Sequence, residues 1–306
     1  MFLEGVPEFP ASRPISLSDR SLIESLFARH PSELSERTFG SIYIWRTYEG
    51  RSDISQLDGH LLIFWYKARF GRTLLPPVGP DPAGSVESLL AHKGFRNLGF
   101  TGVYGLTEPQ VSQLAATGRK LESLRDEWDY VYRTEDLIRL EGPKYHTQRK
   151  ELAKATSQYE LVFEPMTQEH REACLELQET WCDMKRCTLD KLSSAEDRAL
   201  KDALDNLKEL GFFGGVAIID GKIQALTIGE GLDQRTSVVH FEKANPAIRG
   251  LYQFINQEFC RNLLNGREFV NREQDVGEAG LRRAKEGYHP HHFVEKHILL
   301  RDVKGL

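Results

Sequence analysis

The chain has 306 residues, long enough for roughly two domains, and its 40% hydrophobic and 28% charged content is that of an ordinary globular protein. Forty Lys and Arg against 45 Asp and Glu leave a formal charge of -5, which excludes a chain-wide basic footprint for nucleic acid. No apolar run approaches the ~20 residues of a membrane span. The opening MFLEGVPEFPASRP lacks a basic-then-apolar signal pattern, and Cys174, Cys182, Cys187 and Cys260 fit reduced thiols, so the expected setting is the cytoplasm.

Residues 15–29 read as a first helix, capped by Ser16 or Ser18, with Leu22, Ile23, Leu26 and Phe27 as its apolar stripe. SERTFGSIYIWR at 35–46 carries Ile42, Tyr43, Ile44 and Trp45, an aromatic and β-branched run that predicts a strand. Asp58-Gly59 between two apolar runs is a two-residue hairpin signal, and Gly71-Arg72 turns the chain again. The proline-rich LLPPVGPDPAG at 74–84 predicts a rigid loop. A helix at 85–92, a strand at 100–104, a helix from Thr107 to Ala115 and a strand at 128–132 follow. This alternation predicts an α/β or α+β class with mixed sheets. Gly142-Pro143 is the strongest punctuation and sets expected domains at 1–142 and 143–306.

In the second half, residues 144–155 form a basic helix with His146, Arg149, Lys150 and Lys154. Residues 168–185 and 197–210 are amphipathic helices, the first with Trp181 and Met184 expected in the core. Residues 213–219 and 223–229 are strands joined by the hairpin dipeptide Asp220-Gly221. A strand at 237–243, a loop ANPAIRG at 244–250 and a helix carrying Leu251, Ile255, Phe259 and Leu263 come next. A short strand at Phe269-Val270, a helix at 277–286 ended by a Gly287 cap and Pro290, and a strand at 293–300 close the chain.

NREQDVGEAGLRRAKEGYHP at 271–290 stands out. Asn271, Arg272, Glu273, Gln274 and Asp275 follow a strand end with no apolar residue among them, and Arg282, Arg283 and Lys285 sit on the helix after it. Charge of that density is costly unless it pairs or meets a ligand, and open α/β sheets place ligands at carboxyl strand ends. Asp275 and Glu273 suit a substrate ammonium, and Arg272 or Arg282 a carboxylate or phosphate; the alternative is a salt-bridge knot that fixes the turn. His289, His291 and His292 flank Pro290, which breaks ligand spacing, and Cys182 and Cys187 stand isolated, so no metal is expected.

The order of the second half resembles the GNAT acyltransferase fold. The segments 35–46, 74–79, 129–155, HFEKA at 240–244 and 271–290, in that order, resemble an uncharacterised bacterial family related to the C-terminal domain of phosphatidylglycerol lysyltransferases. The resemblance implies two tandem GNAT-like domains, each a mixed twisted sheet flanked by helices. It implies an acyl- or aminoacyltransferase acting on an amine or hydroxyl acceptor, with acyl-coenzyme A or aminoacyl-tRNA as donor. The 237–243 strand would be the splayed one. Asn245, Ile248, Arg249 and Gly250 would hold the cofactor, although of the family's Gly-rich loop only Arg249 and Gly250 are present. Glu242 would be the general base, with His240 on its face two residues away, and Asp275, which stands where these enzymes often carry Asn, would be the second catalytic residue. Asn271, Arg272, Glu273, Arg282, Lys285 and Tyr288 complete the expected substrate site near a domain cleft. The first half would be structural, a domain whose phosphate loop is reduced to GLTEP after Tyr104. Two readings stand beside the transferase: an inactive small-molecule binding protein that keeps the pocket, and a tRNA partner acting through the basic 144–154 helix.

Overall fold

The computed structural model describes residues 3–47, 52–185 and 191–301; Cys187 lies outside them. The chain divides into two compact units, residues 1–128 with 294–306, and residues 129–293.

The first unit contains β1 (Arg13–Pro14), α1 (Arg20–Arg29), α2 (Phe39–Ile44), β2 (Asp53–Leu57), β3 (His60–Lys67) and β4 (Gly71–Leu74), then α3 (Pro82–Ala91), α4 (Lys93–Asn97), β5 (Gly102–Leu106), α5 (Glu108–Ala115) and β6 (Leu121–Ser123). The second contains β7 (Asp129–Arg133), α6 (Thr134–Arg139), α7 (His146–Gln158), β8 (Val162–Pro165), α8 (Arg171–Lys185), α9 (Lys191–Asp205), α10 (Leu207–Leu210), β9 (Phe213–Ile219), β10 (Lys222–Gly231), β11 (Thr236–Ala244), α11 (Leu251–Leu263), β12 (Phe269–Asn271) and α12 (Ala279–Glu286). The chain ends with β13 (His292–Val294) and β14 (His297–Leu300).

Each unit has a seven-stranded mixed sheet, in the orders β1-β2-β3-β4-β5-β14-β6 and β13-β7-β12-β11-β10-β9-β8. Both sheets open with antiparallel hairpins, and both then carry a parallel pair, β4 with β5 and β11 with β12. The next strand is antiparallel in each, but it comes from elsewhere in the chain. β14 completes the first sheet beside β5, and β7, which follows the first unit, lies beside β12 in the second. The expected boundary at Gly142-Pro143 therefore falls inside the second unit. Turn residues mark a local break; strand pairing decides which sheet a segment joins.

The hairpins form where Asp-Gly predicts them. Asp58 and Gly59, and Asp220 and Gly221, all take positive φ, the geometry of a type I′ turn. Residues 39–44 differ from expectation. They form a helix because Thr38 caps it, its hydroxyl accepting from the Ser41 N–H at 3.2 Å, and burial of Phe39, Ile42 and Ile44 overrides their strand preference. The expected strand at 293–300 breaks at Glu295-Lys296 into pieces that join different sheets. Gly287 keeps ordinary helical φ; the left-handed residue that ends α12 is His289, at φ 54°. The counterpart of the GNAT loop in the first unit is the proline-rich segment between β4 and α3, not GLTEP, because β5 is the parallel partner of β4. Met184 is exposed rather than core, while Trp181 is half-buried under Lys243. In the first unit apolar side chains pack around Phe64, Phe95, Phe100 and Val103. In the second, one cluster surrounds Tyr130, Tyr132 and Phe259, and another surrounds Ala225, Leu251 and Ile255.

Candidate functional site

β11 and β12 pair only from Thr236↔Phe269 to Val238↔Asn271. Beyond that point β11 continues beside β10 alone, and the chain after β12 runs through residues 272–278 into α12. The register between β10 and β11 slips here: Ile228 faces Phe241 and Gly229 faces Val239, which leaves His240 as the extra residue of a bulge. Bulges re-aim side chains. Val239 packs with Phe259 of α11, and Glu242 reaches Asn256 of the same helix, so these two share a side. His240 turns instead to Glu230 and Glu273. The expectation that His240 and Glu242 share a face fails because strict alternation does not survive the bulge.

Three polar groupings result. In the first, Arg272 donates to Glu242 Oε1 at 2.8 Å and Asn256 donates to Oε2 at 3.0 Å. The Arg272 guanidinium lies 4.9 Å from the Tyr288 ring and 5.6 Å from that of Tyr132, and its buried Nη1 has no acceptor. Burial works against this charge, but Glu242 outweighs it and holds Arg272 more firmly protonated than a free guanidinium. Both tyrosine hydroxyls are held above their ordinary range by burial.

In the second, His240 bonds Glu273 at 2.7 Å through Nδ1 and Glu230 at 2.8 Å through Nε2. Neutral imidazole has one donor and one acceptor, and an ionised carboxylate only accepts. Two carboxylate partners therefore require both ring nitrogens to donate, which is the imidazolium. Burial lowers the pKa of His240, but the bonds to Glu230 and Glu273 prevail and raise it to about 10. Glu273 is itself left-handed, at φ 56°. That conformation is fixed by the Asn271 side chain accepting from its N–H and by Tyr130 and Lys285 donating to its carbonyl.

In the third, the buried Asp275 accepts from Arg282 Nε and Nη2, from the Tyr130 hydroxyl at 2.6 Å and from the Gly277 N–H. Burial opposes the charge, yet Arg282 and Tyr130 bring its pKa down to about 2. Four donors saturate a carboxylate, whereas Glu242 has two and keeps acceptor capacity. Lys285 is buried and donates to the carbonyls of Arg272, Glu273 and Gln274, with burial lowering its pKa to about 8. Asn271 donates to Asp129. The structure thus draws together Asn271, Arg272, Glu273, Asp275, Arg282, Lys285 and Tyr288 with Glu242.

A family model for the C-terminal part of phosphatidylglycerol lysyltransferase matches residues 27–300. The chain belongs to that family. No curated protein matches it in sequence. It is similar to a conserved protein of unknown function from Bacteroides thetaiotaomicron, at 28% identity and TM-score 0.87, over 95% of this chain and 99% of that one. Its fold is also that of L-PGS from Bacillus licheniformis, at 12% identity and TM-score 0.64, over 99% and 96% of the two chains. A tandem GNAT protein from the clavulanic acid pathway shares the fold at 11% identity and TM-score 0.51, over 96% and 99%. Two mixed sheets flanked by helices, each with one parallel pair, are thus a tandem GNAT-like fold.

The loop expected to hold a cofactor runs from Asn245 to Gly250. Asn245 bonds Gln224 and the Ala247 N–H, and Ile248 packs on the α11 cluster. Gly250 precedes α11 at φ 89°, where a Cβ would lie 2.1 Å from the Glu151 carbonyl, so only glycine fits. Arg249 is ion-paired with Glu151. Beside them opens a groove of ≈510 Å³ lined by Lys150, Glu151, Ala153, Lys154, Ser157 and Arg249. Among the described residues no group of His, Cys, Asp or Glu is arranged to hold a metal; His289 bonds the Lys144 carbonyl, and His291 bonds His292. No helix among them is long and apolar enough to cross a membrane.

Sequence reasoning missed Glu230, Asn256, Tyr130 and Tyr132. Glu230 had a signal, a lone acid in the apolar run IQALTIGEG. The tyrosines had one too, two residues apart on one strand in DYVYR. Asn256 had none; a polar residue on an amphipathic helix is commonplace.

Proposed function

We propose that this chain is an acyl- or aminoacyltransferase acting on an amine or hydroxyl acceptor, with its site in the second unit where β11 leaves β12. The observation that carries the reading is Glu242 beside Arg272 at that parting, the carboxylate with spare acceptor capacity and the buried guanidinium with an unused Nη1. Glu242 takes the acceptor's N–H or O–H proton as that atom attacks the donor carbonyl. Arg272 stabilises the oxygen that becomes negative. The donor's ester or thioester bond then breaks, and its oxygen or sulfur leaves with the proton that Glu242 took, which returns Glu242 to its carboxylate. Glu273 faces a substrate ammonium, and Tyr288 forms a wall over Arg272. Asn271, Asp275, Arg282 and Lys285 hold the 271–278 turn in place.

Between the two donors, the loop favours aminoacyl-tRNA over coenzyme A. Arg249 is already engaged by Glu151, a carboxylate of the protein itself, where a pyrophosphate would need it free. Lys150 and Lys154 in the adjoining groove suit phosphates of an RNA backbone. The same ion pair is what supports the second reading, a binding protein that has kept the fold without the reaction.

The test is transfer of a labelled acyl group from acetyl-coenzyme A or from aminoacyl-tRNA to small amines, alcohols and lipid headgroups. Turnover should fall by about 10²–10⁴-fold in Glu242→Gln, read on protein shown by circular dichroism to be folded at the assay temperature. Undiminished turnover in that variant would remove Glu242 from the reaction; no turnover with either donor would leave the binding protein.

A further inference from the structure

SERTFGSIYIWR, the first-unit segment shared with the family, has a polar head of Ser35, Glu36, Arg37 and Thr38, all buried. Three of the four have clear structural duties. Thr38 caps α2. Glu36 accepts twice from the fully buried Lys296, at 2.8 Å each, and also from Tyr104. Ser35 bonds both Glu36 and Lys296.

Arg37 is only partly engaged. Its residue is 6% exposed. Of its five N–H donors, Nη2 meets the His30 carbonyl at 2.8 Å, and Nε is buried without an acceptor. One face lies 4.6 Å over the Phe27 ring. Among the described residues no carboxylate pairs with it, and burial alone pushes it down to about 10. Neighbouring His30 is kept low by burial and by the positive charges of Arg29 and Arg37. The contrast is with Arg272, also largely shielded from solvent but answered by Glu242. A guanidinium taken out of water without a counter-charge is costly, and its planar fork matches a carboxylate or phosphate.

We propose that the first unit holds an oxyanion-binding site at Arg37, bordered by Phe27 and His30, which takes a carboxylate or phosphate group of a ligand. The site is separate from the transferase reading of the second unit and stands or falls without it.

The experiment is amide hydrogen exchange of the full chain with inorganic phosphate or acetate, against sodium chloride of equal ionic strength. Residues 27–38 should gain protection with one of these anions, and the more effective anion assigns the ligand as phosphate or carboxylate. Arg37→Met should lose the response, with at least a tenfold weaker affinity. Arg37→Lys keeps the charge but not the fork, and should bind more weakly than wild type. It also serves if the methionine variant does not fold. Glu242→Gln should respond as wild type does. Absence of protection at 27–38 with both anions, or equal protection in the Arg37 variants, would overturn the proposal and leave Arg37 a structural cation.

Discussion

Replacing His240 with Gln tests the charge state read from its two carboxylate partners. The wild-type imidazole is held at about 10 against an ordinary 6.5. Below pH 6.5 both folded and unfolded chains bind this proton; above it only the folded chain does. The stabilisation is therefore complete below pH 6.5 and is lost as pH rises towards 10, with a slope of about 1.4 kcal/mol per pH unit. Lys285, lowered to about 8, pulls the other way above that pH, so the clean window is 6.5 to 8. Integrated across it, wild-type stability should fall by about 1.5–2 kcal/mol more than that of His240→Gln. At pH 6 the variant should be destabilised by about 3–5 kcal/mol, since Glu230 and Glu273 lose the cation between them. Urea unfolding in half-unit pH steps, followed by circular dichroism and by fluorescence of Trp181, measures both. Parallel pH dependences for the two proteins, or a His240 imidazole resonance titrating near 6.5, would refute the imidazolium.

Asp275→Asn removes the negative charge and one of the two oxygens that Arg282 and Tyr130 bond, and should cost about 2–4 kcal/mol in urea unfolding. Because the folded Asp275 sits at about 2 and the unfolded one at 3.8, its stabilisation is present above pH 3.8 and lost as pH falls towards 2; the variant should show a shallower acid limb. Gly250→Ala should lower stability by more than about 1 kcal/mol, from positive φ and the clash with the Glu151 carbonyl, read as a melting-temperature loss. Lys296→Met should destabilise the first unit by about 3–5 kcal/mol by stranding Glu36, and Lys296→Met with Glu36→Leu should recover much of the loss.

The parts of the fold legible in the sequence were those specified locally. Asp58-Gly59 and Asp220-Gly221 specify their own turns, and the apolar period of α11 specifies its buried face. The segment 39–44 misled because the cap at Thr38 outweighs a run of residues that favour strands. β7 and β14 were legible as strands but not as members of their sheets, since pairing partners more than a hundred residues away leave no local mark. The site shows the same division. The charged stretch at 271–275 and the position of Glu242 could be read directly. The bulge that separates His240 from Glu242 could not, because it is a property of the pairing of β10 with β11.

The density of charge after β12 has a physical cause that also sorts its members. When β11 and β12 part, the carbonyls of Arg272, Glu273 and Gln274 leave the ladder, and buried backbone groups must find partners. Lys285 supplies donors to all three from α12, and Tyr130 of β7 bonds the Arg272 N–H and the Glu273 carbonyl. Asn271 fixes the Glu273 N–H, and Asp275 pins the same turn to Arg282, Tyr130 and Gly277. Those residues are consumed by the parting itself. Arg272, Glu273 and Glu242 are not needed to satisfy any of these carbonyls with their side chains; Arg272 pairs with Glu242, and Glu273 with His240. A substitution among the first group should act on stability before chemistry, and one among the second on chemistry before stability. That ordering is why we propose Glu242 and Arg272, rather than the more heavily bonded Asp275, as the reacting pair.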